Sequence, residues 1–222
     1  MTVLQLADEG EAADLAAFLS RLLHYDRGAS VRLQAAGTAL AVFGRPPSFE
    51  VLAVRAVRLA KPYEDGLDVT LDVTVSAGEL LESVDEKGAT AVVPGAVTGP
   101  PWAGVLPPRG GWRPEPGLPA PDALRSLVAA AVAEFRSRTR ELPAERRTRA
   151  ELDGIGRDIW SRTVGDTRLP VRAVHAAQSL GFLRPGVPLD LFSSGAWLRL
   201  RTPYGSVAVR QAGLGALDVS VR

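Results

Sequence analysis

Asp68 and Asp72 are the first residues whose spacing suggests chemistry. They sit on one side of the strict alternation Leu67, Val69, Leu71, Val73, Val75, so a strand here turns both carboxylates to solvent. At ~3.3 Å per residue their Cα atoms stand about 13 Å apart. That is too far to share one metal ion and wide for the acid–base pair of an inverting glycosidase. A solvated strand face accounts for them. The two histidines, His24 and His175, are 151 positions apart, so a His-based metal site would need carboxylates that the sequence cannot place. The absence of cysteine excludes thiolate nucleophiles, thiolate zinc sites and disulfides, and it suits a reducing cytoplasm. There is no P-loop, no dinucleotide fingerprint after a strand, no G-x-S-x-G elbow and no H-E-x-x-H. No cofactor or metal is expected.

The abundant functional group is the guanidinium, with 24 Arg against 2 Lys (Lys61 and Lys87). Residues 1–100 carry 14 acids and 8 bases, a net −6, whereas residues 101–222 carry 11 acids and 18 bases, a net +7. GC-rich coding or attraction between the halves explains such a split, and so does an acidic partner. The densest cluster is Arg136, Arg138, Arg140, Arg146 and Arg147, the candidate partner-binding surface. The expectation is a non-catalytic binding or scaffolding protein acting through its Arg-rich C-terminal half on a protein partner. An enzyme with a carboxylate/Arg site in the cleft between the halves is the alternative from another class.

The elements that must position these groups divide the chain in three. Residues 1–93 read as an acidic α+β domain with an antiparallel or mixed sheet and two helices. An edge strand falls within Met1–Leu6, and Asp8 with Glu11 forms a capping-box pattern. Leu15, Phe18, Leu19, Leu22 and Leu23 then trace one helical face. Ser30–Ala35 and Thr38–Phe43 read as two strands joined by a turn at Ala36-Gly37, followed by strands at Phe49–Leu59 and Leu67–Val75. Ser76 and Glu79 start a short helix, and Ala89–Val93 returns as a strand. Residues 94–121 form a connector carrying nine of the 17 prolines and six glycines, with Trp102 and Trp112 implying that it packs along a surface.

Residues 122–222 read as a basic domain of three helices and a β-hairpin. The first helix runs from Pro121 to Arg140–Leu142; the second opens at Pro143 and runs to Val164; the third covers Leu169–Leu183. Leu189–Phe192 forms a short strand beside a hairpin of Trp197–Thr202 and Ser206–Arg210. This order is winged-helix-like. A nucleic-acid-binding version would place Arg172, His175, Gln178 and Ser179 on a recognition helix and Arg199, Arg201 and Arg210 on a wing.

Gly99-Pro-Pro-Trp-Ala-Gly-Val with Pro-Pro-Arg-Gly-Gly-Trp112, the later Ser-Leu-Gly-Phe-Leu and Trp-Leu-Arg-Leu-Arg-Thr-Pro-Tyr-Gly-Ser-Val together resemble conserved hypothetical proteins of actinobacteria. The likeness extends over nearly the whole chain and implies no activity, fold or site residue. The N-terminus lacks the basic and apolar regions of a signal peptide, and the most apolar helical run, Leu127–Ala133, is too short to span a bilayer. A cytoplasmic location and no membrane partner are the expectation.

Overall fold

A computed structural model describes residues 2–63 and 70–211. The class is α+β, with antiparallel strand pairing throughout. Helix α1 (Glu9–Tyr25) starts where Asp8 accepts a hydrogen bond from the Glu11 amide at 2.9 Å, and it buries Leu15, Phe18, Leu19 and Leu22. Helix α2 (Ala77–Glu82) follows Ser76, whose hydroxyl accepts from the Glu79 amide at 3.3 Å. Strands β1 (Val3–Gln5) and β5 (Thr90–Val92) pair as a separate two-stranded sheet.

Ser30 to Gly44 form one 15-residue strand, β2, where the sequence suggested two strands and a turn. Gly37 takes a left-handed φ of 55° and shifts the register instead of reversing the chain. The two halves of β2 therefore serve different neighbours. Ser30–Ala36 pair with β4 (Thr70–Ser76), and Ala39–Gly44 pair with β3 (Leu52–Tyr63). Pro47–Phe49 is a 3-10 turn, so β3 begins three residues later than its apolar pattern suggests.

The second half supplies β6 (Arg113–Pro114), α3 (Pro121–Glu141), α4 (Arg149–Trp160) and α5 (Val171–Ser179). Then come β7 (Asp190–Ser194), β8 (Trp197–Thr202) and β9 (Gly205–Arg210). Helix α4 does not open at Pro143. Thr148 and Glu151 provide the stronger start, the Thr148 hydroxyl accepting from the Glu151 amide at 3.3 Å, and Ala144–Arg146 is left as a 3-10 turn. Helix α5 is shorter than Leu169–Leu183, held between Pro170 and Gly181 at φ 76°.

The large sheet runs β4-β2-β3-β9-β8-β7-β6, so strands from before and after the Pro-rich stretch share it. They meet in three residue pairs, Leu52–Ala208, Ala53–Val207 and Val54–Ser206. Inward-facing apolar residues of both halves join one cluster, Leu33, Leu40 and Val57 with Leu198, Leu200 and Val209. Helix α1 packs on β3 and α5 on β9. Phe18 and Phe182 stack across this layer with ring centroids 5.7 Å apart. Among the described residues no helix is long and apolar enough to cross a membrane.

The opposite, outer face of the sheet is crossed by the Pro-rich stretch. Val97 donates its amide to Thr74 on β4, Ala103 is buried and its carbonyl accepts from Arg32 on β2, and Arg113–Pro114 pair with β7 as β6. Trp102 and Trp112 are half-buried along that path.

Beneath the junction lies Arg55 of β3, only 5% exposed. Its Nη2 donates to Glu11 at 2.9 Å and Asp14 at 3.2 Å on α1, and its Nη1 donates to the Tyr204 carbonyl at 2.8 Å. Removing one member of a buried ion pair leaves the other charge uncompensated, at a cost of about 3 kcal/mol. Arg55→Met should therefore lower the urea midpoint by a corresponding amount, and adding Glu11→Gln should restore part of the loss.

Candidate binding cleft

Five segments far apart in sequence bring a ladder of rings to the helical side. Tyr25 ends α1, Phe49 ends the 3-10 turn, Phe135 comes from α3, Trp160 from α4 and His175 from α5. Tyr25 meets Phe49 edge-on at 5.4 Å, and Phe49 meets His175 edge-on at 5.0 Å. His175 stacks on Trp160 at 4.5 Å and 23°, and Trp160 lies 6.1 Å from Phe135. The two edge-on contacts are of the kind that ring quadrupoles favour. The rings wall a cavity of about 460 Å³ together with Val132, Arg136 and Arg172. A neighbouring recess of about 720 Å³ shares Phe135, Trp160 and Arg172 and adds Glu50, Arg149 and Arg157.

Four arginines and two carboxylates, Glu50 and Asp153, line the two spaces. Arg149 stands 3.7 Å from Asp153. Arg172 approaches Glu50 only to 4.0 Å, and its Nε is buried without a hydrogen-bond partner. Glu50 itself is left-handed, φ 51°, a conformation that costs a residue with a Cβ about 1–3 kcal/mol and concentrates at ligand sites. Arg136 is exposed at the rim. Burial holds the His175 imidazole below its ordinary pKa, so the ring is neutral at pH 7.

The structure distributes the sequence-derived candidates as follows. Of the Arg cluster, Arg136 lines the cleft. Arg138 pairs with Asp158 and with Glu134, and Arg146 pairs with Glu151 at 2.6 Å. Arg147 donates to the Leu142 and Arg140 carbonyls at 2.9 Å, and the Arg140 side chain is exposed. Arg172 and His175 meet in the cleft, with Gln178 exposed and Ser179 half-buried farther along α5.

Arg199, Arg201 and Arg210 lie elsewhere. The hairpin carrying them is built into the large sheet, with Leu198, Leu200, Val207 and Val209 turned to the helices. Alternation turns the three arginines to the outer face, away from α5. Arg199 donates to the Ser206 hydroxyl at 2.9 Å, and Arg201 pairs with Asp190 at 3.1 Å. Recognition-helix and wing candidates are therefore not brought together.

Of the strand carboxylates, Asp68 lies outside the described residues. Asp72 is gripped by Arg32 at 2.7 and 2.8 Å and by Gln34 at 3.0 Å. Arg32 holds the Asp72 carboxyl below the usual range, as Arg162 does for Glu134 and Arg138 for Asp158. Each of these is a structural ion-pair partner, with its proton affinity moved opposite to that of an acid catalyst. Among the described residues no group of three or more His, Asp or Glu is placed to hold a metal ion.

Sequence reasoning missed Tyr25, Phe49, Glu50, Phe135, Arg149, Arg157 and Trp160 as site residues. For Phe49 and Glu50 the only local signal was Pro46-Pro47 interrupting a strand pattern next to an aromatic residue.

The class this defines is an α+β protein with a cationic, aromatic-lined cleft on its helical side. Residues 1–104 match the family model described as Domain of unknown function (DUF8010), and residues 107–214 match that described as Domain of unknown function (DUF8185). The two matches together, each to a domain of unknown function, extend over nearly the whole chain. No curated protein matches. A crystal structure of the DNA polymerase sliding clamp from Pseudomonas aeruginosa with ligand is 15% identical, with a TM-score of 0.49. The alignment covers 91% of this chain and 63% of the clamp, so the chain spans less than two thirds of that protein. That likeness is too slight to inform the chemistry of the cleft.

With its pKa lowered in the folded state, His175 takes up a proton more readily in the unfolded chain. Its contribution to stability is therefore full above the unfolded value of 6.5 and is lost as pH falls from there towards the folded pKa. The NMR titration of the His175 Cε1 proton should have its midpoint below 6.5. His175→Phe should flatten the fall in Tm between about pH 7 and 5.

Proposed function

We propose that this is a non-catalytic binding protein that captures an acidic, ring-bearing segment of a protein partner in the cleft between α3, α4, α5 and the Pro47–Phe49 turn, in a cytoplasmic setting. The observation that carries the reading is Arg172, whose Nε is buried without a partner beside the stacked His175–Trp160 pair. A buried donor left unsatisfied costs about 1–3 kcal/mol, and a carboxylate entering the cleft would meet the guanidinium of this 26% exposed side chain more closely than Glu50 does at 4.0 Å. Trp, Tyr and Arg are also the side chains that dominate protein-binding energetics when they cluster in a recess. Compared with the notion of a broad Arg-rich surface, the reading is narrower. Arg138 and Arg146 are already paired, leaving Arg136, Arg157 and Arg172 to meet the partner.

A second reading, nucleic-acid binding, is favoured by the same rings, because bases stack on aromatic platforms flanked by cations. It would use the cleft alone, since Arg199, Arg201 and Arg210 face the other way.

The test is fluorescence anisotropy with labelled poly(Glu,Tyr) copolymer and with labelled oligo(dT) as probes. Wild-type protein should bind the copolymer, and Arg136→Gln combined with Arg172→Gln should weaken it by on the order of tenfold or more. Binding that survives both substitutions, or no binding of the copolymer, overturns the proposal. Tighter, steeply salt-dependent binding of oligo(dT) would replace it with the nucleic-acid reading.

A further inference from the structure

The outer face of the large sheet carries a second feature, independent of the cleft. Sheet faces turned to solvent are ordinarily polar. Here the central strands present Ala39, Ala41 and Phe43 of β2 against Val54 and Ala56 of β3, with Ala41 directly opposite Ala56 and Phe43 opposite Val54. Alanine in the middle of such a face leaves the depth a larger side chain would fill. The Pro-rich stretch supplies a wall through Pro107 and Pro108, and the resulting trough holds about 340 Å³.

Charge at the trough is unbalanced. At its β4 end Asp72 is neutralised by Arg32. At its β8 end stands Arg199, half-buried, donating from Nε to the neutral Ser206 hydroxyl at 2.9 Å, with the guanidinium 5.6 Å from the Trp112 ring. Among the described residues no carboxylate pairs with Arg199, because its neighbour Asp190 is taken by Arg201 at 3.1 Å. Burial and the proximity of Arg201 both disfavour the Arg199 charge, as they would for a cation awaiting a counter-ion. Arg109 adds a further positive charge at the rim.

We infer that this trough is a binding site for a small amphipathic carboxylate, its anionic head on the Nη atoms of Arg199 and its unbranched apolar tail along Ala41 and Ala56. From β8 the tail crosses β9 and β3 to reach β2, three inter-strand steps, or about 14 Å at ~4.8 Å each. That span suits a medium-chain fatty acid. Head and tail requirements are separable, and both can be read.

The experiment titrates the full chain with decanoate below its micelle concentration, following tryptophan emission, to which Trp112 beside Arg199 contributes, and confirming by calorimetry. Acetate and decanol are the tail-less and uncharged controls. Saturable decanoate binding, tighter than either control, is expected. Arg199→Gln should weaken decanoate by on the order of tenfold or more, with little effect on decanol. Arg199→Lys should restore part of the loss, which a merely structural defect would not allow. Ala41→Leu should weaken decanoate and decanol together while leaving Tm close to wild type. The inference is overturned if decanoate binding to wild type is absent or non-saturable, or if Arg199→Gln binds it unchanged.

Discussion

Everything on both faces of the molecule hangs on a junction three residue pairs long. Leu52–Val54 of β3 and Ser206–Ala208 of β9 turn two small sheets into one. A ladder of three residue pairs would be a weak seam in water. Two reinforcements lie directly beneath it. One is the shared apolar layer to which both halves contribute. The other is Arg55, which reaches from β3 to α1 on one side and to the β8–β9 turn on the other. Arg184 repeats the theme more loosely, 3.4 Å from Asp14 and stacked 3.6 Å from the centre of the Tyr204 ring. With the seam closed, α5 is held against β9, and Arg172 and His175 are brought to Phe49 and Glu50 from the other half.

The charge asymmetry between the halves is not mainly a mutual attraction. Arg32–Asp72 and Arg58–Asp8 are pairs within the first half. Glu134, Arg138, Asp158 and Arg162 form a closed network on α3 and at the end of α4, all within the second. Such exposed networks contribute little individually to stability. Their consequence here is one of selection: they tie up Arg32, Arg58, Arg138 and Arg162, whereas Arg136, Arg157, Arg172 and Arg199 line recesses whose surroundings still favour an anion.

Local features of the fold could be read directly. The Asp8 and Ser76 caps, the α3 stripe of Leu124, Val128 and Ala131, and the β8–β9 hairpin are set by residues within a few positions of one another, which is why they sit where the sequence puts them. Where two local signals compete the reading fails. Gly37 looks like a turn but acts as a register shift, and Pro143 looks like a helix start but yields to Thr148. The cleft was hardly legible, because its rings come from positions between 25 and 175 and meet only through the seam. Arg199 and Arg201 are two residues apart and chemically identical, and only a cross-strand neighbour, Asp190, makes one satisfied and the other not.

The Pro-rich stretch that crosses the outer face has a consequence at its two ends. Near one it bonds to Thr74 on β4, and at the other it becomes β6, whose Pro114 has no amide hydrogen to offer. One segment of chain thus touches both margins of the large sheet, covering β4 at Thr74 and Val75 and placing a two-residue, proline-bearing strand outside β7. Edge-to-edge polymerisation, the standing hazard of an open antiparallel sheet, meets a shortened ladder at each side.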